Sequence, residues 1–124
     1  MRSANLLDSF RHAFAGLGHV LRTQRNARIH LLIAVAVVAL GLALGLSRWE
    51  WAILALTIGF VFVAELFNTV VEAAVDLASP EIHPLARVAK DVAAGAVLLA
   101  AIAAVVIGLL ILGPHVVHRL FSVV

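Results

Sequence analysis

Four polar side chains recur at helical spacing where an otherwise apolar stretch of this chain ends. Glu65, Asn68, Glu72 and Asp76 are three, four and four residues apart, so on an α-helix they lie within an arc of about 80°. A carboxylate at membrane depth costs on the order of 2.5–3.5 kcal/mol, and such a residue marks a functional site by default. Carboxylates and an amide on one face can accept a proton or bind a divalent cation. The spacing therefore predicts a functional site on this helix face.

The composition indicates that the helix carrying this face lies in a membrane. Hydrophobic residues make up 64% of the 124 residues and charged residues 13%, with a mean hydropathy of +1.11. An ordinary soluble domain carries roughly 25% charged residues. The chain has no cysteine, which excludes disulfides and thiolate metal sites. We therefore predict an all-α membrane protein with a single domain over residues 1–124.

Hydropathy and charge predict one surface helix and three spans. Residues 4–24 combine arginines with apolar residues at helical spacing, as in an amphipathic helix on the membrane surface. A signal peptide is the alternative, but the apolar run begins too late for one. The predicted spans are residues 29–47, 50–77 and 85–114. Gly45, Ser47 and the cluster Arg48–Trp51 are predicted to form a very short turn, and residues 79–84 a polar loop.

The second span must carry acidic residues into the membrane. Its uncharged run, Trp51 to Ala64, has only 14 residues, which is too short to cross the hydrocarbon. Lysine and arginine number seven on the side of the N-terminus and two on the other. By the positive-inside rule, the N-terminus and the polar helix face are cytoplasmic. We therefore expect a multi-pass membrane protein whose polar helix face opens toward the cytoplasm.

The residues gathered at this interface suit phosphoryl transfer. That reaction needs a base for a hydroxyl proton, carboxylates for Mg²⁺ and cations that offset the phosphate charge. Glu65 lies deepest and suits the base, whereas Glu72 lies nearer water and suits the metal. No Walker loop or soluble-kinase signature is present. From the residues alone, catalysis, ion or proton conduction and structural pairing between helices all remain open.

Two polar blocks resemble the bacterial integral-membrane diacylglycerol kinase family. They cover residues 65–76 and 81–97, and the entry into the first span, Arg25 to His30, resembles the undecaprenol kinase branch. The similarity extends over roughly residues 10–112. It implies a homotrimer of three-span chains with a surface helix, which phosphorylates a lipid hydroxyl of diacylglycerol or undecaprenol with ATP and Mg²⁺. The partners that it implies are the lipid, ATP and further copies of the chain, with no nucleic acid.

The resemblance also implies roles for individual residues. Glu65 matches the general base beside the lipid substrate, Asn68 a required polar neighbour, and Arg28 a position near the lipid. Glu72 matches a metal-binding carboxylate that also serves the nucleotide site. The rest of the nucleotide-contacting block is matched by Glu81, Ile82, His83, Lys90 and Asp91.

Gln24 departs from the family pattern. It stands where the family usually has a second metal-binding glutamate, so the resemblance makes Gln24 and Glu72 the candidate metal ligands. An amide oxygen can ligate Mg²⁺ but brings no charge. Weaker metal binding, compensation by Asp76 and an inactive homologue are the three alternatives.

Two further groupings have plainer interpretations. Lys90 and Asp91 could form an interfacial salt bridge. His115 and His118, three residues apart, lack a third ligand for a metal and are typical of a helix end at the membrane interface.

Overall fold

The computed structural model describes residues 5–123, except for the side chain of Val123. The chain forms four helices in this region: α1 (Leu6–Thr23), α2 (Arg25–Leu44), α3 (Arg48–Ala78) and α4 (Pro84–Val123). The last three are long and apolar enough to cross a membrane. The prediction of an all-helical, multi-pass membrane protein with an additional N-terminal helix is therefore confirmed.

A corner at Gln24 separates α1 from α2. Gln24 has extended backbone angles (φ −108°, ψ 113°) and ends one helix while preceding the next. The Arg28 guanidinium donates hydrogen bonds from Nη1 to the carbonyl oxygens of Leu21 (3.1 Å) and Arg22 (2.9 Å). These carbonyls belong to the last turn of α1, where intrahelical donors are absent. The first span consequently begins at Arg25, four residues before the predicted boundary.

A three-residue turn joins α2 to α3. Gly45 adopts the left-handed conformation with φ +73°, and this change of backbone conformation ends α2. Glycine suits the position because residues with a Cβ rarely adopt positive φ. Ser47 and Glu50 then form a capping box: Glu50 Oε1 accepts from the Ser47 amide at 2.9 Å and Ser47 Oγ accepts from the Glu50 amide at 3.3 Å. The turn therefore comprises Gly45 to Ser47, and the predicted inclusion of Arg48–Trp51 is wrong, because the capping box starts α3 at Arg48.

The last helix is longer than the predicted span 85–114. It continues through Pro114 to Val123. His115 Nε2 lies 2.9 Å from Glu50 Oε2, and Arg119 Nη2 donates to the Ala43 carbonyl oxygen at 2.8 Å. Both contacts attach the additional turns of α4 to the connection between α2 and α3. His115 is therefore paired with an acid on another helix.

Helices α3 and α4 form an antiparallel hairpin that holds most of the tertiary packing. Near the α2–α3 turn a buried cluster joins the helices through Leu46, Leu54, Ile111 and Leu112. At the opposite end, residues 79–83 form the polar loop, and Pro84, which the prediction placed in the loop, opens α4, because a proline is tolerated in the first turn of a helix. The polar face of α3 thus runs from within the bundle to this loop.

We predict that Gly45→Ala destabilises the protein by about 1 kcal/mol, because alanine is strained at positive φ. Unfolding in detergent micelles, followed by circular dichroism, measures the change. Gly16→Ala is the matched control. Gly16 lies inside α1 with no atom close to an added Cβ, so alanine there should be neutral or stabilising. Equal effects at the two positions would contradict this account of the turn.

We predict that Arg28→Gln loosens the end of α1. Losing two hydrogen bonds from a charged donor at an exposed site costs about 1 kcal/mol, so amide hydrogen exchange over residues 20–23 should accelerate roughly fivefold. Arg25→Gln is the control, because Arg25 is also exposed and makes no side-chain hydrogen bond or ion pair within residues 5–123. Unchanged exchange in Arg28→Gln would show that the corner does not depend on this side chain.

Candidate active site

Glu65 is the one charged side chain buried in the described part of the chain, with 1% of its surface exposed. Its Oε2 atom has no hydrogen-bond partner. The nearest group able to carry a positive charge is His30 on α2, whose Nε2 lies 3.7 Å from Oε2. A buried acceptor without a partner is destabilising. Such an atom in a native fold calls for an explanation, and a role in binding or catalysis is one.

Asn68 provides a second unpaired oxygen on the same face of α3. Its Oδ1 atom is buried without a partner, and residues three apart on a helix are neighbours. The Thr69 hydroxyl does not reach either group, since it donates to the Glu65 main-chain oxygen at 3.1 Å. Two oxygens with unused acceptor capacity therefore lie on one face of α3, where a donor such as a hydroxyl finds an acceptor.

A polar cleft of about 200 Å³ lies at the other end of the polar face, where α3 passes through the loop into α4. Its walls include four of the five residues that the sequence assigned to the nucleotide block after Glu72: Glu81, Ile82, His83 and Lys90. Within the loop, Ser79 Oγ donates to the Glu81 carbonyl oxygen at 3.1 Å, and His83 Nδ1 accepts from the Leu85 amide at 3.1 Å. The structure thus brings the block together around one opening.

The charged side chains at this cleft pair differently from the sequence expectation. Lys90 Nζ binds Asp76 Oδ1 at 2.6 Å and so connects α4 to α3. Asp91 lies instead 3.3 Å from Arg87, one turn earlier on the same helix. The expectation of a salt bridge between Lys90 and Asp91 is therefore wrong, because adjacent residues on a helix do not face each other.

Glu72 lies between the two groups of residues. It is exposed and makes no side-chain hydrogen bond or ion pair within residues 5–123. By helix rise it is about 10 Å from Glu65 and about 6 Å from Asp76 along α3. No group of three or more histidine, aspartate or glutamate side chains gathers in the described chain. A carboxylate such as Glu72 is compatible with Mg²⁺, which commonly uses one or two protein carboxylates and takes other ligands from phosphate and water.

Gln24 and Arg28 lie at the corner between α1 and α2. The Gln24 side chain is half-buried and forms no hydrogen bond with the other candidates among the described residues. Arg28 is exposed, and its guanidinium is engaged by the carbonyls that end α1. In a single chain, Arg28 therefore fixes the corner.

His30 is the residue that the sequence reasoning did not place in the site. A signal was present, because His30 starts an apolar span and Glu65 ends one, and antiparallel helices bring such positions to similar depth. His30 also lines an apolar groove of about 560 Å³ between α2, α3 and α4. The buried carboxylate is thus adjacent to a groove that follows the direction of the spans.

Comparison with known proteins assigns the chain to a family. A family profile for prokaryotic diacylglycerol kinase matches residues 11–112. The chain is 51% identical over 111 residues to a diacylglycerol kinase of Synechocystis sp., covering 89% of this chain and 63% of that protein. It is 47% identical over 106 residues to an undecaprenol kinase of Bacillus subtilis, covering 86% of each. A diacylglycerol kinase of Helicobacter pylori is 46% identical over 50 residues, 40% of this chain and 39% of that one.

The match to the profile contains both polar blocks and the corner at Gln24. The resemblance that the sequence predicted is therefore confirmed, and the chain belongs to the prokaryotic diacylglycerol kinase family of lipid kinases.

Proposed function

We propose that this protein transfers the γ-phosphoryl group of ATP to the hydroxyl of a membrane lipid, either diacylglycerol or undecaprenol, with Mg²⁺. The observation that carries the proposal is the buried carboxyl group of Glu65 beside the buried, unpaired amide oxygen of Asn68, on the helix that leads to a polar cleft. The names of the two relatives that match most of this chain supply the alternative acceptors.

Glu65 accepts the proton of the lipid hydroxyl in this mechanism. The hydroxyl oxygen then bonds to the γ-phosphorus, the bond from that phosphorus to the β,γ-bridging oxygen breaks, and ADP leaves. Asn68 is adjacent on the same helix face and contributes its side-chain amide to the polar surroundings of the hydroxyl. Arg28, at the start of the first span, is near the lipid headgroup. Because most of the lipid stays in the bilayer, only its hydroxyl has to enter a protein site.

The donor set fits Mg²⁺ with ATP as the second substrate. Glu72 is an exposed carboxylate and would hold the ion, with Gln24 contributing an amide oxygen. The bound ion would offset the charge on the phosphates. Lys90, held at the cleft by Asp76, supplies a further positive charge. The remaining nucleotide contacts in this proposal come from Glu81, Ile82, His83 and Asp91.

The size of the cleft supports an oligomeric enzyme. Ligand pockets usually occupy about 300–1,000 Å³, whereas the cleft of one chain measures about 200 Å³. We infer that a neighbouring copy completes the nucleotide site and that the assembly is a homotrimer. Packing between copies would also cover part of the apolar surface that a single chain exposes.

The N-terminal helix is proposed to lie on the cytoplasmic surface of a bacterial cell membrane. Its exposed large apolar residues are Leu6, Leu7, Phe10, Phe14 and Leu17, and Arg11 and Arg22 lie on the same helix. Apolar residues suit the acyl boundary and arginines suit anionic headgroups. With the positive-inside orientation, the cleft then faces cytoplasmic ATP.

We predict that the purified protein in detergent micelles transfers labelled phosphate from ATP to diacylglycerol, to undecaprenol or to both when Mg²⁺ is present. Side-by-side acceptor assays identify the lipid. Glu65→Gln keeps the size of the side chain and should lower kcat by roughly 10²–10⁴-fold, the usual contribution of a general base. Circular dichroism checks that the variant is folded.

Two outcomes would contradict the proposal. Absence of labelling of either lipid would favour an inactive homologue, and ion or proton flux in liposomes without kinase activity would favour a conductor that uses Glu65. An active Glu65→Gln variant would remove Glu65 from the role of base while leaving the kinase activity itself in place.

We predict opposite effects of two charge changes on the Mg²⁺ requirement. Glu72→Gln removes a carboxylate and should raise the Mg²⁺ concentration for half-maximal activity about tenfold, which corresponds to ~1.4 kcal/mol. Gln24→Glu adds a carboxylate at the proposed second ligand and should lower the Mg²⁺ concentration for half-maximal activity. Asp8→Asn is the control, because it also removes a carboxylate but at a residue that is not a proposed metal ligand. Asp8 lies near the start of α1 beside Arg11. Equal Mg²⁺ dependence in all of these proteins would refute both ligand assignments.

A further inference from the structure

His30 lies where the apolar groove meets the buried carboxylate. The groove is formed by α2, α3 and α4, and within the described chain its polar lining residues are His30 and Thr57. The Thr57 hydroxyl donates to the Ile53 carbonyl oxygen of its own helix at 2.7 Å, so its hydrogen-bonding need is met locally. No side chain of α4 that lines the groove is charged or titratable. His30 is therefore the one titratable group there.

His30 Nε2 lies 3.7 Å from Glu65 Oε2. The His30 and Glu65 side chains are 18% and 1% exposed, so their contact is largely shielded from water. A distance of 3.7 Å exceeds that of a hydrogen bond. Catalytic hydrogen bonds are often long without substrate and shorten when the substrate binds. Glu65 Oε2 has no other partner, so His30 is the group placed to orient it.

We propose that His30 is a positioning residue: it donates Nε2–H to Glu65 Oε2 and so holds the carboxylate in the orientation from which its other oxygen takes the proton of the lipid hydroxyl. This inference rests on the proposed lipid kinase activity. His30 itself touches neither ATP nor the reacting oxygen in this role. It acts by restricting the rotation of Glu65, and a small misplacement of a catalytic group costs about 100-fold in rate.

The position of His30 predicts which kinetic constant changes. The nucleotide cleft begins at Asp76, which by helix rise is about 16 Å along α3 from Glu65. Loss of the His30 donor should therefore lower kcat and leave the KM for ATP unchanged. A general loss of folding would instead reduce the yield of helical protein and affect both constants.

The test compares His30→Leu, which removes the donor, with His30→Gln, which keeps an N–H donor without an imidazole. We expect kcat to fall roughly 100-fold in His30→Leu and considerably less in His30→Gln, with the KM for ATP unchanged in both. Thr57→Val is the matched control, since it changes the other polar residue of the groove and should keep kcat near the wild-type value.

An infrared measurement tests the contact without relying on activity. The carboxyl bands of Glu65 are identified as those lost in Glu65→Gln. They should shift in His30→Leu and stay close to the wild-type position in Thr57→Val, because only the first change removes a group that touches the carboxylate.

Wild-type kcat in His30→Leu, equal losses in the Leu and Gln variants, or unmoved Glu65 bands would each overturn the positioning role. A wild-type protein without phosphoryl transfer would instead overturn the proposed function. The two failures are therefore distinguishable.

Discussion

The burial of a carboxylic acid among apolar helices is the constraint on which the rest of this structure depends. Glu65 is 1% exposed and its Oε2 has no hydrogen-bond partner, although hydrocarbon and packed side chains offer nothing to replace water. Helix α3 must therefore be long enough to carry Glu65 into the bundle and still emerge at a polar loop. Its 31 residues, from Arg48 to Ala78, meet that requirement.

The two ends of the helical hairpin differ in how far their polar groups are satisfied within the chain. Near the α2–α3 turn, a left-handed glycine, a capping box and the pair of His115 with Glu50 satisfy the helix ends locally. At the other end, Lys90 reaches across to Asp76 beside a cleft, and Glu72 makes no side-chain pair within residues 5–123. Satisfied polar groups favour a fixed connection, whereas groups with unused capacity are available to a ligand.

Some of the site was predictable from local spacing, and some was not. The polar face of α3 follows from the helical period, and the loop after Asp76 follows from its prolines. The capping box at Ser47 and Glu50 had a sequence signature, Ser-x-x-Glu, that the turn prediction did not use. The partner of Lys90 required a choice between its neighbour Asp91 and Asp76, fourteen positions away. Helix geometry excludes the neighbour, but only the packing of α3 against α4 selects the distant acid.

The sequence by itself determined a membrane protein with three apolar spans, the helical face that carries its acids, and membership of a lipid kinase family, because composition, helical period and matched motifs are local properties of the chain. Only the tertiary structure decided that His30 faces Glu65, that Arg28 closes the end of α1, and that α4 extends beyond Pro114 to meet the α2–α3 turn. Those contacts depend on the depth and rotation of one helix against another. Packing sets both, and spacing along a single helix does not contain them.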